Sequence, residues 1–451
     1  MWSLADFALE KKLRGHDGPV RGLVFSSDGT GLFSAGEDGL LKIWDVTTGK
    51  ERKSIKVTPS VQPNEDNSIL ALSLSPSGKT LLIGEQRGNF QILSADDLKG
   101  LYSQSAHAGG VNAIVYGVGG QQFYTLGVDQ TLKRWDGVPS PVREFVGHKG
   151  PVRSAVFSPD GKLILSGGGW PDGDKTLRLW EVATGKAIRQ FEGIDAQINA
   201  VAFAPDGKHV VAGLENGKLS MWAIDSGKRV REFEGHKDGI PCITFSRDGS
   251  KMLSASHDKT VRLWDTSNGE SIQVFRGHTD WVRSAVFLPD EKRILSGGRD
   301  KTVRLWQLNG KHLKTLDHAE DVESLACLAD GKRCLSGGGQ VMRLWDIDSG
   351  RTLQQFVGHV YGITSLSLSR NERTVLTASY DGSTRLWEVE TGDELHRFGH
   401  HREWVWSVMW APDGKHFMTA GGGGSVNGKF VAGADFGIRL WRMPARLLEV
   451  R

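Results

Sequence analysis

The sequence predicts an all-β fold built from repeated four-stranded antiparallel sheets. Three observations carry this. First, Gly235 to Asp265 (GHKDGIPCITFSRDGSKMLSASHDKTVRLWD) is followed by Gly277 to Gln307 (GHTDWVRSAVFLPDEKRILSGGRDKTVRLWQ), an offset of 42 residues at which aligned positions keep their chemistry. Second, each stretch alternates short apolar runs with turn signals. Third, a Trp closes the third run almost every time, at Trp44, Trp135, Trp180, Trp222, Trp264, Trp306, Trp345, Trp387 and Trp441, with Leu93 in its place once. A repeat of this length is one supersecondary unit that buries its apolar surface only against its neighbours.

Each unit reads as four strands. The first alternates, as in Val282-Arg283-Ser284-Ala285-Val286-Phe287. A turn follows, such as Pro159-Asp160-Gly161, Pro205-Asp206-Gly207 or Pro412-Asp413-Gly414. Pro presets φ there and Gly accepts the positive φ of a hairpin turn. Arg293-Ile294-Leu295-Ser296 is a second strand, and Thr302-Val303-Arg304-Leu305-Trp306 a third. A turn such as Thr184-Gly185-Lys186 opens the fourth. Four antiparallel strands per unit make the blade of a β-propeller.

Length alone would suggest about three domains. Repeat units share one extended core, so a single domain over residues 1–451 is expected, with repeats ending near 44, 93, 135, 180, 222, 264, 306, 345, 387 and 441. The 58 glycines fall mostly at turns, which favours many short strands over a disordered or collagen-like chain. A net charge of +3 is too mild to imply nucleic acid. The N-terminal MWSLADFALEKK lacks a signal-peptide core, and no stretch has the apolar length of a membrane helix. Cys242, Cys327 and Cys334 make no disulfide framework and are expected as reduced thiols in a cytoplasmic protein.

The ends bear on ring closure. Trp2 lies 14 residues before His16, as Trp264 lies 14 before His278, so Ala8–Arg14 reads as a fourth strand. The third strand ending at Trp441 is followed by only ten residues. The simplest expectation is one closed ring of ten blades, with the N-terminal strand completing the last blade and hiding both sheet edges. Ten exceeds the usual four to eight blades. The alternative is a smaller ring of seven or eight blades, with extra blades completed by another chain or by a longer parent protein.

Gly-His at the start of a unit, Asp before its third strand and Trp-Asp at its end (Trp44-Asp45, Trp264-Asp265, Trp345-Asp346) resemble the WD40 family over essentially the whole chain. The regular SPDGK and DKTVRLWD wording looks like the bacterial type. The resemblance implies a buried tetrad of His, Ser or Thr, Asp and Trp in each complete blade. These sets are His16, Ser34, Asp38, Trp44; His107, Thr125, Asp129, Trp135; His148, Ser166, Asp174, Trp180; and His236, Ser254, Asp258, Trp264. The remaining sets are His278, Ser296, Asp300, Trp306; His359, Thr377, Asp381, Trp387; and His401, Thr419, Asp435, Trp441. The unit ending at Trp345 has Gly339 in place of Asp, the unit ending at Trp222 keeps only its Trp, and the unit ending at Leu93 has lost all four.

Ser, His and Asp together suggest a hydrolase triad, but catalysis needs one activated Ser beside an oxyanion site. A trio repeated seven times is architecture, so no catalytic residue and no enzyme activity are expected. Gly423 to Lys429 fits GxxxxGK, but Phe430 stands where a P-loop needs Ser or Thr, and an extended glycine loop is expected instead. No metal or cofactor motif is present.

Three insertions break the period, at Ser60–Ser68, Gly167–Asp172 and Gly421–Ala434. By the resemblance, all open on the narrower face of the ring. Residues flanking the first strands share that face. Candidate partner-binding residues are Arg21, Arg153, Trp170, Trp281, Arg283, Trp404 and Trp406, since Trp and Arg dominate interface hot spots. The competing reading packs the tryptophans between blades and pairs the arginines with neighbours such as Asp280 and Asp300. The expected function is a monomeric scaffold that grips a protein or peptide on the narrow face, without membrane or nucleic acid. The alternatives are a regulatory or sensor module of a larger bacterial signalling or defence system, and a small-ligand binder in the channel.

Overall fold

The computed structural model describes residues 12–57, 68–107, 109–117, 122–136, 143–169, 174–399, 401, 403–426, 429–431, 436–444 and 447. Numbering the repeats 1 to 10 along the chain, each is an antiparallel sheet, and in blades 1 to 9 the strands follow chain order. Blade 6 is typical. Its strands Cys242–Phe245, Lys251–Ala255, Thr260–Asp265 and Ser271–Arg276 pair in sequence. Its first turn works as the Asp-Gly wording requires. Asp248 accepts from the Ser246 hydroxyl at 2.6 Å, and Gly249 takes φ +72°, where a Cβ would be strained. The second and third strands are almost wholly buried, because they lie between neighbouring blades.

The chain divides into two compact units, Met1–Ser140 and Pro141–Arg451, where a single domain is expected from the repeat. The second unit holds blades 4 to 10. Their first strands touch in a cycle, each blade against the next and blade 10 against blade 4. The fourth strand of blade 10 is Arg143–Phe145, which pairs with Ile438–Arg442 through Arg143–Leu440, Glu144–Arg439 and Phe145–Ile438. Phe145, Val152, Ala155 and Phe157 then share one buried cluster with Met418, Ala420, Ile438 and Leu440. The second unit is therefore a ring of seven blades, closed by the strand just before blade 4.

This corrects the expectation of one ten-bladed ring closed by the N-terminal strand. The outer place of blade 10 is filled from residues 143–145, and the ring meets itself after seven blades. Of Ala8–Arg14, to which that closing role falls in the sequence, residues 8–11 lie outside the described residues, and Lys12, Leu13 and Arg14 form no strand. The expected alternative, a seven-bladed ring with extra blades, matches the contacts.

The first unit holds blades 1 to 3 in a row, their first strands Val20–Phe25, Ile69–Leu74 and Val111–Tyr116 touching in turn. Blades 1 and 2 have four strands. Blade 3 has three among the described residues, because the next strand along the chain is the one used to close the ring. Blade 2, which lacks the tetrad, is held by Leu81, Leu82, Ile83, Ile92 and Leu93, all at most 2% exposed.

The three cysteines are free thiols. Cys327 and Cys334 are cross-strand partners in blade 8, and burial pushes the Cys334 thiol well above its ordinary pKa. Among the described residues no helix is long and apolar enough to cross a membrane.

Candidate functional site

The tetrads come first, since they consume most of the chemistry-bearing residues. In blade 6, Trp264 Nε1 lies 2.8 Å from Ser254 Oγ, Ser254 Oγ 2.7 Å from His236 Nε2, and His236 Nδ1 2.8 Å from Asp258. An indole can only donate, which fixes the chain of protons: Trp to hydroxyl, hydroxyl to imidazole, imidazole to carboxylate. The same bonds recur in blades 1, 3, 4, 7 and 9. In blade 10, Trp441, Thr419 and His401 make them, and Asp435 lies outside the described residues. Blade 8 keeps the Trp345–Ser336 bond, and with Gly339 at the Asp position His318 turns Nδ1 to the Glu320 carbonyl at 3.0 Å.

These hydroxyls are poor nucleophiles. Ser254, Ser296 and Thr377 are wholly buried, and each already spends its proton on a His and its lone pair on a Trp. Burial works to raise the Asp300 pKa, but bonds from His278, Thr302 and the Thr279 amide outweigh it and hold the carboxyl at about 2. The trio is thus a fixed strut.

A different set of side chains converges at one end of the seven-bladed ring. It comes from two places in each blade: the start of the first strand and the residue just before the Asp of the tetrad. Antiparallel pairing brings these two places together. Blade 4 supplies Arg153, whose guanidinium lies 4.2 Å over the Trp406 ring of blade 10. Blade 9 supplies Tyr380, 4.8 Å from Trp404 and 5.2 Å from Trp406, which are themselves 5.4 Å apart. Blade 7 supplies Trp281, Arg283 and Arg299, both guanidinium groups lying about its own indole at 5.0 and 4.8 Å. Blade 6 supplies His257, stacked on Trp281 at 4.3 Å. Blade 8 supplies Glu323 and Asp321, which face Arg283 at 3.4 Å and Arg299 at 3.2 Å. Blade 5 supplies Asn199, which donates to Glu215 and leaves its buried Oδ1 without a partner among the described residues.

The electrostatics follow from crowding. Burial, then the charges of Arg283, Arg153 and Arg299, pulls His257 down to about 3, so its neutral Nε2 accepts from Arg283 at 3.0 Å. Burial and then the Glu323 carboxylate push the Tyr380 phenol up to about 12. Burial lowers Arg153 as well, and it has no ion pair among the described residues.

His257 gives a pH signature. Its folded pKa lies below the free value, so the unfolded chain takes up a proton that the folded ring refuses. Stability is full above pH 6.5 and falls as the pH drops towards 3, by up to roughly 1.4 kcal/mol per unit. Thermal unfolding between pH 7 and pH 5 should show a melting temperature that falls with pH, and less steeply in His257→Phe. Equal slopes for both proteins would contradict this reading.

Of the seven sequence candidates, the structure brings Arg153, Trp281, Arg283, Trp404 and Trp406 to this mouth. Arg283 bonds His257 and Glu323, while Asp280 and Asp300 serve the Trp281 amide and His278. Arg21 belongs to the other unit, where its Nε donates to Glu37 at 2.7 Å, so it is not a third arginine of this cluster. Trp170 lies outside the described residues. The competing interior reading holds in part for Trp406, which is 7% exposed and donates to the Gly422 carbonyl at 2.8 Å. His257, Arg299 and Tyr380 were not among the candidates. The GxxxxGK stretch falls in a hairpin, Gly424–Val426 with Lys429–Val431, where an extended loop is expected. That insertion starts on the mouth: Trp404 donates its amide to the Gly423 carbonyl at 2.9 Å, and Gly423 donates to Glu403 at 2.6 Å. No group of three or more His, Cys, Asp or Glu suited to a metal occurs among the described residues.

Comparison with known proteins agrees with this architecture. The WD domain, G-beta repeat family (WD40) matches residues 7–45, 139–181, 185–223, 227–265, 269–307, 310–346, 350–388 and 392–442. Among curated relatives, nuclear distribution protein nudF of Emericella nidulans is 31% identical over 40% of this chain and 43% of its own length. Serine-threonine kinase receptor-associated protein of Gallus gallus is 31% identical over 38% of this chain and 45% of its own. The match therefore spans less than half of these relatives. Such relatives are fungal and animal, and the bacterial-type reading finds no support among them. With family matches over more than half its length, the chain belongs to the WD40 repeat family.

Proposed function

We propose that the chain is a non-catalytic scaffold that binds a protein or peptide partner at the mouth of its seven-bladed ring, on the narrow face by family resemblance. One observation carries this: each of the seven blades sends a non-tetrad side chain to one place, and the set is rich in Trp, Tyr and Arg. Those residue types dominate binding hot spots. Acid and base nearly balance there, since Asp321 and Glu323 face Arg299 and Arg283. Arg153 lies over the Trp406 ring at 4.2 Å with no ion pair among the described residues, the Glu323 and Glu215 carboxylates acting on it only at longer range. It suits a carboxylate on a partner segment whose apolar side chain rests on Trp281 or Trp404. The orphan acceptor of Asn199 suits a backbone or side-chain donor of the same segment. The name of the Gallus gallus relative states association with a kinase receptor, which is a protein partner. A cytoplasmic location fits these features.

The test is affinity capture from native extract with wild type and Arg153→Ala/Trp404→Ala. Hot-spot truncations cost about 2 kcal/mol or more each, so the variant should lose its partner at least tenfold while its thermal transition stays in place. Undiminished capture by the variant would move the binding surface to the rim or the opposite face.

A further inference from the structure

The three-bladed unit exposes apolar side chains where the ring buries them. In blade 1, Val20, Leu23 and Phe25 are 44%, 64% and 53% exposed. Their counterparts on the first strand of blade 4, Val152, Ala155 and Phe157, are at most 4% exposed. In blade 3, Leu126 and Leu132 are 42% and 67% exposed, whereas their counterparts in blade 10, Ala420 and Ile438, are fully buried. In the ring, exposed large apolar residues sit on fourth strands and loops, as at Ile188, Val230, Ile272 and Leu353, and among the described residues none lies on a first, second or third strand. The two bare faces are therefore confined to the ends of the arc.

These faces are of opposite kinds. Val152, Ala155 and Phe157 pack directly against Ala420 and Ile438 where blade 4 meets blade 10. Val20, Leu23 and Phe25 are the leading half of that joint, and Leu126 and Leu132 the trailing half. The same joint is already made twice inside the unit, between blades 1 and 2 and between blades 2 and 3. Three blades are too few to close on themselves, since rings start at four. Head-to-tail surfaces make a closed ring when the rotation allows it, and two three-bladed arcs give six blades, within the usual range.

We infer that the N-terminal three-bladed unit pairs with the same unit of a second copy, blade 1 of each against blade 3 of the other, to form a composite six-bladed propeller. The occupant is a second copy because one chain carries both halves of the joint, so every copy presents the complement of the next. Each of the two contacts would bury Leu23 and Phe25 of one copy on Leu126 and Leu132 of the other. This replaces the monomer expected from closed sheet edges: the ring has none, but the arc has two unpacked faces.

The test is sedimentation of the full chain across a concentration series, with Phe25→Glu and Leu132→Glu. Both positions are exposed, so both variants should keep the circular dichroism and the melting transition of the wild type. The wild type should sediment at twice the mass of one chain. Each variant alone breaks both contacts and should fall to half that mass. An equal mixture of the two variants keeps one good contact, between wild-type Phe25 and wild-type Leu132, and should recover part of the dimer. A monomeric wild type at its highest soluble concentration overturns the proposal and leaves the faces to blades of another protein. So does a dimer that both variants retain, a mixture with no recovery, or a mass that grows without limit, which would mean an open chain of copies.

Discussion

Trp264→Ala should destabilise the ring by roughly 3 to 5 kcal/mol, the range of large core truncations. Trp264 is wholly buried, packs edge-on against Phe233 at 5.8 Å, and belongs to the core shared by blades 5 and 6. Its loss opens a cavity between two blades. It also strips Ser254 of its donor and loosens the strut that ties the His236 loop to the sheet. The melting temperature of the ring should drop by roughly 5 °C or more, against almost no change for the exposed Lys237→Ala. Trp264→Phe should recover part of the loss, because it refills volume without the indole N–H. A Trp264→Ala shift no larger than that of Lys237→Ala would contradict the tetrad as a stabilising element in that blade.

Removal of the closing strand should have the other large effect. Arg143–Phe145 contributes three ladder positions, the wholly buried Phe145 and two ties to its neighbours. Arg439 Nε donates to Glu144 at 2.9 Å, and Arg143 Nη1 to the Val182 carbonyl at 2.5 Å. Phe145 also meets Trp180 of blade 4 edge-on at 6.1 Å. Phe145→Ala alone should cost about 3 to 5 kcal/mol. Loss of the whole strand also bares the edge of Ile438–Arg442, an unpaired template for aggregation.

Much of this was legible in the sequence. The blade is written in local signals that tertiary context does not override: Asp-Gly turns, alternating first strands and a Trp at fixed phase. The tetrad positions follow from the same phase, and Asp258, Asp300 and Asp381 all lie within 2.8 Å of the expected His. Ring size was not legible. The strand before blade 4 and the strand before blade 1 carry the same fourth-strand pattern, and nothing local says which one closes a ring. The choice depends on how many blades turn a full circle, a property of accumulated packing angles.

The mouth was half legible. Trp281, Arg283, Trp404 and Trp406 stood out because they flank first strands, which are easy to phase. His257, Arg299 and Tyr380 share a position too, directly before the tetrad Asp, where Glu37, Val128 and Glu215 stand in other blades. That row varies between repeats as much as the first-strand row and was open to the same argument.

The most direct measurement is thermal unfolding of two truncated chains, one of residues 141–451 and one of residues 147–451, which keeps His148 of the blade 4 tetrad. If seven blades closed by Arg143–Phe145 form the ring, the first should unfold in one cooperative transition near that of the ring in the full chain. The second should melt at least several degrees lower or aggregate. Equal transitions for both would contradict closure by this strand, and failure of residues 141–451 to fold would contradict a self-sufficient seven-bladed ring.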